Sequence, residues 1–136
     1  MERGCDGVEP DNINAWENES GFPISERDQV EFNRWLASSA HDRGLFIALK
    51  NAGALVPQLL DLFDLALNEQ CHAFAECDDF RPFGDTGRPI LNVEYAGDEP
   101  TARALAADIC PRAQALGLRT LILPLELDDA FRGACD

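Results

Sequence analysis

LFIALKN, residues 45–51, sets five consecutive apolar residues in front of a lysine and an asparagine. A strand with one wet face alternates apolar and polar residues, whereas a short unbroken apolar run marks a strand buried on both faces, as in a parallel sheet covered by helices. The flanks fit that setting. Upstream, Ser25-Glu26-Arg27-Asp28 has the capping-box pattern, predicting a helix to about Arg43 with Gly44 as its stop. Val30, Trp35, Leu36 and Ala40 recur along it, so Trp35 is expected in the core, and His41 near its end suits the helix dipole. Downstream, a shorter helix is expected over about Ala54–Leu62, with Pro57 near its first turn, before another apolar strand, Asp64–Leu67.

Working outward, a short strand around Gly7-Val8 precedes an Asn/Glu/Gly-rich loop, and ILNV (90–93) forms a fourth strand after a Pro/Gly-punctuated stretch, Asp79–Pro89. A helix from about Thr101, interrupted near Pro111, leads to Thr120–Leu123 and a polar tail. The order is that of a parallel α/β architecture. Each strand ends in polar side chains: Glu9, Asp11 and Asn12; Lys50 and Asn51; Asn68, Glu69 and Gln70; Asn92, Glu94 and Tyr95. Active sites of such folds lie at the strands' carboxyl ends. Four βα units make half of a (β/α)₈ barrel of about 250 residues, an open four-stranded sheet being the other option. The 136 residues read as a single domain. Closing a barrel would need a missing N-terminal half or self-pairing of two copies.

With 25 Asp plus Glu against 11 Lys plus Arg, the formal charge of −14 argues against nucleic acid and against anionic membranes, and suits a cationic or neutral ligand. No apolar run reaches the roughly 20 residues that span a bilayer, and MERGCD lacks the apolar core of a signal peptide. The five cysteines read as two disulfides, Cys71 with Cys77 and Cys110 with Cys135, although spacing alone leaves connectivity open. Those closures would contribute about 2.4 and 3.5 kcal/mol in the loop-entropy account. Cys5 is left over as a buried free thiol. A zinc site using His72 is the competing reading, but no paired C-x-x-C spacing supports it.

Two acids facing each other across a strand-end cleft suit glycoside cleavage, one protonating the leaving oxygen while the other activates water or attacks the sugar. Asp11 and Glu69 are the pair expected to do so without a cofactor. Glu9, Asn12, Lys50, Asn51, Gln70 and Asn92 would bind substrate or orient the pair, and Glu94 is a third acid suited to an amino sugar. One rival is a magnesium-dependent lyase, its acids holding the metal while Lys50 abstracts a proton. Another is a non-catalytic half-barrel that stacks sugar on Trp16, Phe22, Phe74 and Tyr95.

The succession CDGVEPDN, GFPIS, NRWLA, AHDRGL, IALKN, NEQC, EC and NVEY resembles the C-terminal half of glycoside hydrolase family 114, the endo-α-1,4-polygalactosaminidases. The resemblance implies a secreted (β/α)₈ barrel that hydrolyses α-1,4-linked galactosamine in galactosaminogalactan-type polymers, whose deacetylated units are cationic. It puts the catalytic acids on Asp11 of EPDN and Glu69 of NEQC, and likens Cys71 and Cys77 to the family's paired cysteines. The chain departs from the family pattern at Cys5, where an aromatic is common, at Asn14 and Ala52, where Asp is frequent, and at Trp16, which replaces Tyr.

Overall fold

The computed structural model describes residues 4–135. Six strands, β1 (Gly7–Val8), β2 (Phe46–Lys50), β3 (Leu65–Glu69), β4 (Ile90–Ala96), β5 (Leu118–Pro124) and β6 (Gly133–Ala134), form one sheet in sequence order. The first five run parallel and β6 pairs antiparallel to β5. The helices are α1 (Glu26–His41), α2 (Val56–Leu59), α3 (Cys71–Phe74), α4 (Arg81–Asp85) and α5 (Glu99–Ala115), with short 3₁₀ turns between them. No helix among the described residues is long and apolar enough to cross a membrane.

Local chemistry accounts for these boundaries. Ser25 Oγ accepts from the Asp28 backbone N–H while Asp28 Oδ2 accepts from the Ser25 N–H, both at 3.1 Å, so α1 begins in a closed capping box. Asp98 caps α5 through the Thr101 N–H, so the helix starts at Glu99, two residues before the expected start. Helix α5 then runs through Pro111 without the expected interruption. The single helix expected over 54–62 is instead a 3₁₀ turn, the four-residue α2 and a second 3₁₀ turn. The stretch from Asp79 to Pro89, expected as loop, contains α4. Thr120–Leu123 lies inside β5, a fifth parallel strand.

Residues paired across a parallel ladder point the same way and successive residues alternate, so the sheet has two distinct faces. Ile47, Leu49, Ala66, Ile90, Leu118 and Ile122 pack with Ala37, Leu55, Phe63, Phe80, Phe83, Ile109 and Ala113 in one core beneath the helices. The opposite face carries Phe46, Leu65, Leu67, Leu91, Val93, Leu121 and Leu123, which are half-buried or exposed. A Cβ on Gly7 would run into the Phe46 ring, so a larger residue where β1 meets β2 would have to displace that ring.

Three expectations about burial are corrected. Phe46 is 48% exposed, so β2 is buried on both faces only from Ile47 onward. Trp35 is 61% exposed and stacks on Phe32, because α1 buries Gln29, Val30, Asn33, Ala37 and Ala40. Trp35 lies two positions from both Asn33 and Ala37, about 200° around the helix from each. Cys5 is exposed, since β1 begins only at Gly7.

Candidate active site

At the carboxyl end of β2, the largely enclosed Lys50 ammonium meets three acids: Glu69 Oε2 at 2.9 Å, Asp11 Oδ1 at 3.0 Å and Glu9 Oε1 at 3.7 Å. Contact with one nitrogen places the nearest Asp11 and Glu69 oxygens at most 5.9 Å apart. Burial alone would lower the Lys50 pKa, but the hydrogen bonds to Glu69 and Asp11 outweigh it and raise it well above the usual lysine range. Lys50 is held as a cation.

Glu69 is fully engaged. Tyr95 donates its hydroxyl to Oε1, while Lys50 and the Asn51 side-chain amide, at 3.2 Å, reach Oε2. The same Asn51 accepts the Glu69 backbone N–H at 2.7 Å. Tyr95 first, then Lys50, hold the Glu69 carboxyl below its ordinary range. Burial, reinforced by Glu69, pushes the Tyr95 phenol up to about 12, so it stays a donor. Asp11 is likewise depressed, by Lys50 and by the Asn12 backbone N–H at 2.9 Å.

The backbone sets this geometry. Asn12, Asn51 and Gln70 follow the first three strand ends and hold φ of 56°, 54° and 61°. This left-handed conformation is uncommon outside glycine, asparagine being among the residues that tolerate it best. The loop bearing Asp11 and Asn12 is tied to α1: Asn33 Nδ2 donates to the Ile13 carbonyl at 2.9 Å, and Gln29 Nε2 to Asn33 Oδ1 at 3.0 Å. Asn33 and Gln29 belong to the site's scaffold and were not anticipated. Asn33 was visible as a polar residue at helical spacing between Val30 and Ala37.

Of the anticipated residues, Glu9, Asp11, Lys50, Asn51, Glu69 and Tyr95 come together, with Asn12 acting through its backbone. Gln70 lines an adjoining cavity of about 360 Å³ with Asn14, Glu17, Asn51, Glu69, Phe74 and Glu76. Asn92 and Glu94 do not join them. They lie on the helix-covered face, 1% and 2% exposed, because Tyr95 is the β4 residue that turns toward the cleft. Asn92 accepts from Thr120 and donates to Asn68 and Glu94, and Glu94 accepts the His72 N–H at the start of α3 at 2.9 Å. Trp16 is half-buried against the core, with its Nε1 enclosed and unpartnered among the described residues. Phe22 and Phe74 are 76% and 63% exposed, and Phe74 borders the cavity.

Cys71 is bonded to Cys77, with Cα atoms 4.7 Å apart, and Cys110 to Cys135, at 5.0 Å. His72 stands beside the first pair, but two sulfurs joined to each other offer no thiolate to a zinc ion.

The sequence profile of glycoside-hydrolase family GH114 matches residues 1–136. The chain belongs to this family. No curated protein matches it. The GH114 chain is 32% identical to Aspergillus fumigatus Ega3, solved in complex with galactosamine, with a TM-score of 0.87 over 98% of this chain and 55% of that one. It also superposes on the glycoside hydrolase domain of PelA from Pseudomonas aeruginosa at 19% identity, TM-score 0.61, covering 93% of this chain and 56% of that one. The second likeness is one of fold. This GH114 chain thus spans about half the length of these relatives, and its sheet corresponds to part of a (β/α)₈ barrel.

Proposed function

We propose that this chain carries the catalytic carboxylates of an endo-acting glycosidase that cleaves α-1,4-linked galactosamine polymers, and that it forms the C-terminal half of the barrel. The observation that carries the reading is the meeting of Asp11 and Glu69 on Lys50 at the strands' carboxyl ends. Membership of GH114 and the galactosamine bound to Ega3 support it, as does the match between a chain of charge −14 and a cationic polymer. The stereochemical outcome at the anomeric carbon is readable by proton NMR of the first products. Two disulfides suit an oxidising, extracellular setting.

A lysine that abstracts a proton must first be neutral, and Lys50 is held charged, which disfavours the lyase reading. The test is reducing-end release from partly deacetylated galactosaminogalactan, with EDTA present, by this chain beside Asp11→Asn and Glu69→Gln. Release that falls at least about 10²-fold in either variant is the expected result, the usual size of a lost acid-base group. Release by both variants at the wild-type rate would overturn the site. No release by the folded wild-type chain would show that the catalytic groups do not suffice without further barrel strands.

A further inference from the structure

Asn18-Glu19-Ser20 is the one place in the chain where an asparagine is followed, two positions on, by serine or threonine. The residue between is not proline, so the triplet is an acceptor pattern for an N-linked glycan, a bulky and hydrophilic group carried on surface loops of exported proteins. The fold puts the triplet in such a loop. Asn18 follows the 3₁₀ turn Ala15–Glu17 in extended backbone, and residues 17–23 are all exposed.

Other asparagines are committed elsewhere: Asn33, Asn68 and Asn92 are buried, and Asn51 is tied to Glu69 by two hydrogen bonds. The Asn18 amide makes one long contact, Nδ2 donating to the Asn14 carbonyl at 3.4 Å. Its second hydrogen has no partner among the described residues. An N-linked sugar replaces one amide hydrogen and leaves the other, so the bond to Asn14 is compatible with modification. Ser20 Oγ bonds only within the loop, to the Phe22 carbonyl and N–H, each at 3.3 Å. Neither side chain would have to be drawn out of the core. The disulfides Cys71–Cys77 and Cys110–Cys135 are an independent pointer. Such bonds form in the oxidising lumen of the endoplasmic reticulum, the compartment that also holds the glycan donor.

We propose that Asn18 is an N-glycan acceptor, an inference that rests on the extracellular setting proposed above. In the transfer, Nδ2 forms a bond to the anomeric carbon of an oligosaccharide carried on a lipid pyrophosphate. The bond from that carbon to the carrier breaks, the pyrophosphate leaves with the electron pair, and Nδ2 gives up one proton. Asn18 lines the same cavity of about 360 Å³ as Glu69 and Gln70. The glycan therefore stands at the rim of the candidate cleft and bounds it on the side of the loop that follows β1.

The test is cell-free translation with endoplasmic-reticulum vesicles, a cleavable leader being fused ahead of Met1. Chain protected from added protease is weighed by intact mass spectrometry, for wild type, Asn18→Gln, Ser20→Ala and Ser20→Thr. Wild type and Ser20→Thr are expected to carry one glycan, which peptide-N-glycosidase removes to leave aspartate at position 18. Asn18→Gln and Ser20→Ala should have the bare polypeptide mass. The glycosylated chain should melt together with Asn18→Gln, because the glycan displaces no packed group. A lower melt would show that the folded loop cannot hold the glycan and would overturn the inference. Because the leader enforces entry, an unmodified wild type inside the vesicles would overturn it while leaving the extracellular setting intact. A glycan that survives in Asn18→Gln would do the same. That setting fails separately, and the inference with it, if Cys71, Cys77, Cys110 and Cys135 of the enclosed chain still react with maleimide.

Discussion

Asn68 and Glu69 are neighbours in β3, and Glu94 and Tyr95 are neighbours in β4, yet each pair is divided between two different jobs. Glu69 and Tyr95 face the cleft, hydrogen-bonded to each other and ringed by Lys50 and Asn51. Asn68 and Glu94, one residue away, are sealed under the helices in a network with Asn92, Thr120 and the start of α3. The same side-chain chemistry lines the cleft on one face and is scaffold on the other. In a strand, a shift of one residue exchanges the two.

Substitutions on the two faces should therefore fail in different ways. The largest effect is expected from Glu69→Gln, which should lower turnover at least about 10²-fold in the reducing-end assay while the thermal midpoint stays near that of wild type. Glu94→Ala should do the opposite. It strands the His72 N–H and the Asn92 amide in the interior and should lower stability by about 2–4 kcal/mol in urea titration, with binding of a galactosamine oligomer retained wherever the protein is folded. If Glu94→Ala abolished binding in a stable protein, the division between the faces would be wrong.

Smaller effects sharpen the contrast. Replacing Cys71 and Cys77 by serine loosens the support of α3 and should cost about 2.4 kcal/mol, read from the same urea titration. Lys50→Met removes a cause of depression from both Asp11 and Glu69, so both carboxyl pKa values rise. The rising limb of the pH–rate profile follows ionisation of the base and should move to higher pH. Because both pKa values are lowered in the folded protein, the stability they contribute is complete above the ordinary carboxylate range and disappears as pH falls through the folded values. The difference in Tm between wild type and Lys50→Met should accordingly narrow on acidification. The smallest effect is expected at Trp35, where substitution by glutamine should change stability by no more than about 0.5 kcal/mol in the isolated chain.

Much of this was legible in the sequence because it depends on local patterns. The apolar run before Lys50, the box at Ser25–Asp28 and the acids at successive strand ends each declare themselves within a few residues. The facing of Asn92 and Glu94 was not legible, since it turns on where β4 ends, and the strand continues to Ala96 instead of stopping at Val93. Trp35 misled because its hydrophobicity outweighed its position, whereas α1 turns the polar Gln29 and Asn33 inward to hold the Asp11 loop. The fragmentation of 53–62 follows from packing of Leu55, Val56 and Leu59 into the core, which no propensity scale registers.

The sheet is threaded in the order in which it is written, each strand pairing with the one before it. For a chain emerging from the ribosome, every pairing partner is thus already present when the next strand appears. Glu9, Asp11, Lys50, Asn51, Glu69 and Tyr95 have all been made by residue 95, before α5 and β5 exist. The last 40 or so residues add none of these groups; their task is to cover the edge of β4 and to lock α5 to the tail through Cys110 and Cys135. Synthesis of this chain completes its strand-end cluster first and its enclosure afterwards.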